Sequence, residues 1–263
     1  MESTLAFGGK TFLTRSSRLL MACAGAVLSL SVQASDKKTV SNNPIVLELY
    51  SSQGCSSCPP ADKLLGEIAR QPNVIAWTLP VDYWDYNGWK DTFGKPAHTN
   101  RQKAYAKVRG DGQVYTPQII VNGVAHVVGS DIGAIRAAGE RFFNKKGALS
   151  VPVKVNDKNG ALEVEVGAAP EGTPKQAFLM IVRVTRQVSV SIGRGENSGR
   201  TLEYTNVGRA AARVGEWNGQ PQTFTIASGV AANPEADGWI ILLQAGDGKA
   251  PGPILGAAKS PNI

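Results

Sequence analysis

The chain has 263 residues, with 28 Lys and Arg against 21 Asp and Glu, and its formal net charge is +7 at pH 7. The basic residues form no block and do not alternate with aromatic residues, so the composition argues against a nucleic-acid-binding protein. The length allows one large domain or two ordinary domains.

The N-terminus has the pattern of a secretion signal. Basic residues within 1–18 precede a short apolar segment at 19–32, and small residues near Ala34 favour cleavage there. We therefore expect residues 1–34 to be a signal peptide and the mature protein to be periplasmic or secreted. The apolar segment is shorter than the ~20 residues that cross a bilayer, which predicts no stable membrane insertion. Residues 35–43 are polar and are expected to form a flexible lead-in.

Residues 44–147 alternate between strand-like and helix-like patterns. Runs of apolar and β-branched residues predict strands, and apolar residues at helical spacing predict helices. Asp131 is the predicted N-cap of the last helix. This order favours an α/β domain with a partly parallel sheet. In chain order the predicted elements are a strand at 45–50, a helix at 61–70, a strand at 74–81, a helix at 99–108, a strand at 118–121 and a helix at 131–144.

Residues 148–263 have an all-β pattern, in which short strands are separated by Gly- and Pro-rich turns. Asn159-Gly160 predicts a type I′ turn between strands that contain residues 151–155 and 162–166. The expected architecture is therefore an α/β domain followed by an all-β, sandwich-like C-terminal domain. Further strands are predicted at 177–185, 188–192, 201–207, 222–227 and 239–245.

A Cys-x-x-Cys motif, Cys55 to Cys58, lies between the predicted strand at 45–50 and the predicted helix at 61–70. Two thiols at this spacing can form a small disulfide ring, and the N-terminus of a helix stabilises a thiolate. We expect Cys55 to face solvent as the attacking nucleophile and Cys58 to be buried as the resolving thiol. The third cysteine, Cys23, lies in the predicted signal peptide, where its lipidation is an open alternative.

Thr116-Pro117 leads directly into the predicted strand at 118–121, which ends at an Asn-Gly turn. Together with the upstream Cys-x-x-Cys, this pattern resembles the thioredoxin superfamily, in which a proline before the third core strand is cis. The resemblance implies that Pro117 packs against the disulfide and that the backbone of Thr116 pairs with an extended substrate. An ordinary trans proline at the start of a strand is the alternative.

Glu48 is an acid within an otherwise apolar predicted strand, where it alternates with Val46 and Tyr50. Thioredoxin-like oxidoreductases place an acid on the strand before the Cys motif. The resemblance therefore implies that Glu48 passes a proton to or from Cys58, a task for which a desolvated carboxyl is suited. A Glu satisfied by local hydrogen bonds, or by a salt bridge at the sheet rim, is the alternative.

An aromatic-rich segment follows the predicted strand at 74–81. We expect that strand to run parallel to the strand at 45–50, so that both end at the same sheet edge, where loops commonly form a binding crevice. Trp84 and Trp89 are candidate substrate-binding residues at this edge. Packing of the aromatic insertion onto the sheet is the alternative role for these side chains.

A second, longer resemblance is carried by residues 48–62, 81–86, 88–89, 91, 101–102, 105 and 199–207. These segments are similar to an exported bacterial family of unknown function, domain-of-unknown-function family 1223, which has a thioredoxin-like fold. The resemblance covers most of the mature chain. It implies a thioredoxin-like domain at 44–147 with an aromatic-rich insertion, followed by the β-rich domain at 148–263. It implies no particular activity.

The predicted function is that of a periplasmic thiol–disulfide oxidoreductase, which exchanges disulfides with a protein or small-thiol partner through Cys55 and Cys58. One alternative is a non-catalytic binding module in which the disulfide only locks a loop. Another is a metal site, in which Cys55 and Cys58 hold Cu(I), or hold Zn²⁺ with His98 and His126 as the other two ligands. We expect no metal and no other cofactor, because the histidines lie at arbitrary distances along the chain and the sequence has no Met-rich segment.

Overall fold

A computed structural model of the chain describes residues 40–41, 43–246 and 250–263. The predicted signal peptide, with its cleavage near Ala34, and most of the predicted lead-in lie outside the described residues. The elements in chain order are β1 (Ile45–Ser51), α1 (Pro59–Ile68), β2 (Val74–Pro80), α2 (Pro96–Arg109), β3 (Gln118–Val121), β4 (Ala125–Val128), α3 (Ile132–Phe142), a 3-10 helix (Lys145–Gly147), β5 (Val153–Lys158), β6 (Ala161–Val166), β7 (Ala177–Ser191), β8 (Thr201–Trp217), β9 (Gln222–Ile226), β10 (Gly238–Ala245) and β11 (Ile254–Lys259).

Eight of the described strands form one mixed sheet in the order β11-β10-β7-β8-β2-β1-β3-β4. β1 pairs in parallel with β2, as the sequence predicted, so both strands end at the same edge of the sheet. β8 continues the sheet in parallel with β2 at Thr78 and Val207. The remaining pairs of this sheet are antiparallel. β5, β6 and β9 form a separate three-stranded sheet.

The prediction of a thioredoxin-like α/β domain followed by an all-β sandwich is wrong. The protein is mostly β, and strands from the C-terminal half of the chain extend the sheet that contains β1 and β2. At the junction the Thr78 hydroxyl donates to Thr205 O at 2.9 Å, and the Asn206 amide donates to Ala76 O at 2.8 Å. A strand pattern shows that a segment is extended, but it does not show with which distant strand the segment pairs.

β1 is buried on both faces, which explains its nearly continuous apolar sequence. α1 and α3 cover one face, which carries Ile45, Leu47 and Leu49. Val46 and Tyr50 lie on the other face, in a core completed by apolar residues of β2, β7 and β10. Glu48 shares this second face, so β1 carries a carboxylate into the interior of the protein.

Proline residues or a capping residue mark the first turn of each of the three described α-helices. α1 starts two residues before its predicted position, because Pro59 and Pro60 fit a first turn, in which a backbone N–H is not needed for helical pairing. α2 likewise starts at Pro96. The predicted cap of α3 is confirmed, since the Asp131 carboxylate accepts a hydrogen bond from Ala134 N–H at 2.9 Å. None of the helices in the described part of the chain is long and apolar enough to cross a membrane.

The strands of the C-terminal half differ from the predicted pattern in length. β7 continues through Arg186 and Gln187 as one strand, because these polar residues lie in the exposed arm of a long hairpin with β8. β4 and β11 have no predicted counterpart, since β4 has only four residues and β11 consists largely of small ones. Asn159 and Gly160 both have positive φ, as the predicted type I′ turn requires.

Candidate functional site

The Cys-x-x-Cys motif lies in the loop between β1 and α1, at the sheet edge where β2 also ends. Cys55 and Cys58 form a disulfide, and their Cα atoms are 5.4 Å apart. Cys58 N–H donates to Cys55 O at 3.2 Å, and Cys55 N–H donates to Ser52 O at 3.2 Å, so two successive turns shape the ring. Cys58 immediately precedes α1 and therefore stands at the N-terminus of the helix.

Both cysteines are buried, with exposed fractions of 1% for Cys55 and 0% for Cys58. The prediction that Cys55 faces solvent is therefore wrong. Ser56 and Ser57 between them are exposed, and Ser57 Oγ lies 3.4 Å from Cys55 Sγ. The disulfide ring is thus at the surface while its sulfur atoms are covered.

Thr116 and Pro117 lie near the start of α1. The bond between them is cis, as the resemblance to thioredoxin-like proteins implied. Pro117 is buried, and a Cβ atom placed on Gly129 would lie 3.2 Å from both Pro117 Cβ and Ala61 Cβ, so the proline is close to the first turn of α1. The predicted role of Thr116 and Pro117 in binding substrate stays a prediction.

Trp84 lies between the disulfide loop and the loop that carries Thr116. Its indole Nε1–H donates to Thr116 Oγ1 at 2.7 Å. A Cβ atom placed on Gly54 would lie 3.2 Å from Trp84 O, so the disulfide loop and Trp84 are in close contact. Trp84 also stacks on Tyr86, which is 80% exposed, at a centroid distance of 6.3 Å. Trp84 is therefore beside the predicted exchange site.

Trp89 supports the disulfide loop from the aromatic segment. Its Nε1–H donates to Gln53 Oε1 at 2.8 Å, and Gln53 N–H donates to Asp91 Oδ2 at 2.7 Å. The loop that precedes Cys55 is thus held by hydrogen bonds to the segment after β2. The substrate-binding role predicted for Trp89 stays a prediction, and the contacts seen are structural.

Glu48 is completely buried and fully paired. Arg101 binds its carboxylate in a bidentate manner, with Nε 2.7 Å from Oε2 and Nη2 2.9 Å from Oε1. The hydroxyls of Tyr105 and Tyr50 donate to the same carboxylate at 2.6 Å and 3.2 Å. Gln244 of β10 contacts Arg101 and Tyr105, so the network also joins β1 and α2 to β10. Glu48 is therefore salt-bridged, but in the interior of the protein rather than at the sheet rim, and neither of its carboxylate oxygens is unoccupied.

Asp62 is a buried acid on the same face of α1 as Cys58. The two residues are four apart, and Asp62 N–H donates to Cys58 O at 3.1 Å. Asp62 is 3% exposed, and its Oδ2 accepts a hydrogen bond from the Ser51 hydroxyl at 3.0 Å. Its Oδ1 has no partner among the described residues. Burial, with a smaller contribution from Asp91, raises the pKa of Asp62 to about 8, so that the carboxyl is mostly neutral at pH 7.

Asp91 and Tyr204 complete the surroundings of Asp62. Asp91 accepts hydrogen bonds from Gln53 N–H at 2.7 Å and from Phe93 N–H at 2.8 Å, and burial raises its pKa. The Tyr204 hydroxyl is buried without a partner in the described part of the chain. Burial and the nearby acids raise the pKa of Tyr204 as well. A second carboxylate and little solvent therefore disfavour the ionised form of Asp62.

A groove of about 430 Å³ between α1 and the β7–β8 hairpin reaches Asp62. Asp62 lines this groove, although it is only 3% exposed. Its walls carry both signs of charge, from Lys63, Glu67, Arg70, Arg200 and Glu203.

The two histidines are engaged elsewhere. His98 Nδ1 lies 2.8 Å from Pro80 O, and burial lowers the pKa of His98 to about 4. His126 contacts the Tyr115 hydroxyl and the Asp111 carboxylate. Among the described residues, no three His, Cys, Asp or Glu side chains are grouped so that they could hold a metal ion. The cysteines and histidines are therefore not gathered into one ligand set.

Two residues of the site were not predicted. Asp62 has a signal in the sequence, since a residue four positions after Cys58 shares its helix face. Asn197 donates from Nδ2 to Gln53 O at 2.9 Å and to Cys55 O at 3.0 Å. No sequence signal connects Asn197 to the disulfide loop, because 142 positions separate it from Cys55.

Comparisons with known proteins identify a family and two similar structures, which cover most of the chain, but they identify no activity. The profile of a family described as Protein of unknown function (DUF1223) matches residues 46–244. The crystal structure of protein AGR_C_4864 from Agrobacterium tumefaciens is similar, with 32% identity and a TM-score of 0.72 over 82% of this chain and 92% of that one. HBP35 of Porphyromonas gingivalis has a TM-score of 0.56 at 11% identity, over 83% of this chain and 74% of that one, and this likeness concerns the fold alone. No curated protein matches the chain.

Proposed function

The chain belongs to the DUF1223 family of proteins of unknown function, and we propose a function for it. In this proposal Cys55 and Cys58 exchange disulfides with the thiols of a partner. Asp62 carries the proposal, because it is a buried carboxyl one helical turn after Cys58, with an unpartnered oxygen and a pKa raised to about 8. Such a carboxyl can give a proton to a neighbouring sulfur, or take one from it, near neutral pH. A disulfide that only locks a loop has no need of this group.

Oxidation of a partner begins when a partner thiolate attacks Cys55 Sγ. A bond forms between the partner sulfur and Cys55, the Cys55–Cys58 bond breaks, and its electron pair leaves on Cys58. The neutral Asp62 carboxyl then donates its proton to the Cys58 thiolate. A second partner thiolate attacks the partner's own sulfur in the mixed disulfide. A disulfide forms within the partner, and Cys55 leaves as a thiolate. The partner has lost two electrons, and the protein holds them as the reduced cysteine pair.

Reduction of a partner disulfide follows the same steps in reverse. The Cys55 thiolate attacks the partner disulfide, and the released partner thiolate takes a proton from water. The Asp62 carboxylate then accepts the proton of Cys58, and the resulting thiolate displaces the partner from Cys55. One acid therefore serves both directions, and we propose that it exchanges its proton with solvent by way of the groove beside α1, which Asp62 lines.

Asp62 takes the role that the sequence predicted for Glu48. Both oxygens of Glu48 already bind Arg101, and protonation of Glu48 would leave that guanidinium without its counter-charge. Asp62 has no cationic partner of this kind, and one of its oxygens is unoccupied within the described structure. A change of charge on Asp62 therefore breaks no ion pair.

The covered sulfur atoms favour a second candidate function. With exposed fractions of 1% and 0% for the two cysteines, the disulfide is placed as it would be in a binding module that uses it to lock a loop. The two functions differ in what reduction does. A locking disulfide lowers stability when it is reduced, whereas an exchanging pair is reduced reversibly within the folded protein. In either case we propose that the protein acts in the periplasm, where a Cys pair persists as a disulfide.

A redox titration of the full chain tests the proposal. The protein is equilibrated with graded ratios of oxidised and reduced dithiothreitol, free thiols are alkylated, and each cysteine is quantified by mass spectrometry. We expect reversible reduction of the folded protein and transfer of electrons to a disulfide-bonded test protein. Reduction that occurs only together with unfolding, with no transfer to the test protein, would establish the locking role instead.

A matched pair of variants tests the role of Asp62 in the same assay. Asp62→Asn should slow the transfer at neutral pH by at least about tenfold, because proton transfer to and from Cys58 is lost. Glu140→Gln removes an exposed acid of α3 and serves as the control for a lost negative charge. Equal transfer rates in Asp62→Asn and the wild type would exclude Asp62 as the proton donor and acceptor.

A further inference from the structure

The turn of the β7–β8 hairpin lies on the disulfide loop. Ile192 N–H donates to Arg200 O at 2.8 Å, and Gly199 N–H donates to Ile192 O at 2.8 Å, so residues 193–199 form a closed turn that we call the hairpin tip. A Cβ atom placed on Gly193 would lie 3.2 Å from Trp89 Cζ3, and glycine therefore allows the tip to approach the aromatic segment closely. This placement brings Asn197, which is 142 positions away in the sequence, to Cys55.

Asn197 makes the buried part of this contact. Its exposed fraction is 0%, and its Nδ2 donates to both Gln53 O and Cys55 O. Its Oδ1 accepts a hydrogen bond from Arg200 Nη1 at 2.9 Å. Because two carbonyl oxygens require donors and the guanidinium requires an acceptor, these three bonds fix the orientation of the amide.

Glu196 makes the exposed part of the contact. Its Oε2 accepts a hydrogen bond from Ser56 N–H at 3.2 Å, at the surface of the protein. The hairpin tip therefore occupies three backbone groups of the disulfide loop, namely Gln53 O, Cys55 O and Ser56 N–H. The tip is therefore bonded to the loop at Cys55, whose side chain is buried.

We propose that the hairpin tip determines which thiols react with Cys55, and that Asn197 and Glu196 make it select an extended polypeptide over small thiols. The inference rests on the proposed exchange function. When the tip moves away, three polar backbone groups lose their partners and must find others. An extended polypeptide has N–H and C=O groups that can replace the lost bonds, whereas a small thiol such as dithiothreitol has no amide group. The tip therefore hinders small thiols more than it hinders a cysteine within a peptide.

Rates of reduction test this selection. The oxidised full chain is mixed with dithiothreitol or with an unstructured hexapeptide that contains one cysteine, and loss of the disulfide, or the mixed disulfide with the peptide, is followed by mass spectrometry. Asn197→Ala should raise the rate with dithiothreitol by at least about tenfold, because truncation leaves two buried carbonyls unpaired in the covered state. The rate with the peptide should rise by a similar factor, because truncation raises the free energy of the covered state from which both reactions start. The selection itself is measured in the wild type, where the ratio of peptide to dithiothreitol rates should exceed the ratio that the same two reagents show with a small model disulfide.

Two further variants keep the test decisive. Glu196→Gln alters a surface contact and should fold, and we expect it to raise the dithiothreitol rate two- to fivefold, on the order expected for a weakened exposed hydrogen bond. Ser198→Ala is the control, because the Ser198 hydroxyl bonds to Gly193 O within the tip and does not touch the disulfide loop. If Asn197→Ala does not fold, the Glu196→Gln result decides.

The outcomes distinguish this inference from the function on which it rests. Unchanged dithiothreitol rates in Asn197→Ala and Glu196→Gln would overturn the selection by the hairpin tip, even if the protein exchanges disulfides with a test protein. A wild-type ratio of peptide to dithiothreitol rates no higher than the ratio for the model disulfide would also overturn it. Faster reduction in both variants without any transfer to a test protein would instead overturn the exchange function and leave the tip as a cover of a locking disulfide.

Discussion

The Asp62→Asn variant should change the pH dependence of stability in a defined direction. The Asp62 carboxyl titrates with a pKa of about 8 in the folded protein, where burial disfavours its charge, against an ordinary value of 3.8. Between these values the folded protein holds one more proton than the unfolded chain. The stability that this group contributes is therefore fully present below about pH 4 and is lost as the pH rises towards 8.

The magnitude follows from the size of the pH interval. While the folded protein holds one extra proton, the free energy of unfolding falls by about 1.4 kcal/mol for each pH unit. The asparagine side chain of the variant does not titrate, so the free energy of unfolding of the variant minus that of the wild type should rise by roughly 3 kcal/mol between pH 5 and pH 7.5. Above pH 8 to 9 the difference should become constant.

Urea unfolding of the oxidised protein at pH 5, 6, 7.5 and 9 measures this difference. Asp91, whose pKa burial also raises, is present in both proteins, as are the charges that line the groove, so their contributions largely cancel. Glu140→Gln, measured in parallel, controls for the loss of an exposed acid. A difference that is independent of pH, or that falls as the pH rises, would show that Asp62 is ionised in the folded protein and would refute the reasoning.

Three further predictions concern the surroundings of the site. Glu48→Gln should lower the free energy of unfolding by about 3 kcal/mol at neutral pH, because it leaves the mostly buried Arg101 guanidinium without a counter-charge; a loss below about 1 kcal/mol in urea unfolding would contradict the buried ion pair. Trp84→Phe should cost about 1 kcal/mol through the lost hydrogen bond to Thr116, and an unchanged urea midpoint would argue against that bond. Gly129→Ala should destabilise the protein by about 1–2 kcal/mol, because the added methyl group would lie 2.9 Å from a leucine methyl group of β1; thermal unfolding at an unchanged temperature would show that the core can accommodate it.

Features that depend on neighbouring residues could be predicted from the sequence. The loop that carries Cys55 and Cys58 follows from an apolar strand, two closely spaced thiols and a helix that starts with proline. The cap at Asp131 is likewise a local pattern. The parallel pairing of β1 with β2 follows from a strand–helix–strand order in which the connecting helix is short. Each of these predictions depends on fewer than about forty consecutive residues.

The rest of the site depends on contacts between distant segments. Arg101 and Glu48 are 53 positions apart in the sequence and form an ion pair. This ion pair occupies the carboxylate to which the sequence analysis had assigned proton transfer with Cys58. Asn197 reaches Cys55 only because β8 adds to β2 and carries the hairpin tip back to the disulfide loop. The fold class was wrong for the same reason, since periodicity identifies strands but does not specify their partners across about 100 or more residues.

Capture of a mixed disulfide tests the central claim most directly. Cys58→Ser leaves Cys55 without a resolving thiol, so a disulfide-bonded test protein should become covalently attached to Cys55 and be detected by non-reducing electrophoresis and peptide mass spectrometry. Cys55→Ser, under the same conditions, should form little adduct, because the proposed exchange uses Cys58 only to resolve the mixed disulfide on Cys55. Absence of an adduct in folded Cys58→Ser, or equal adducts in the two variants, would contradict disulfide exchange through Cys55.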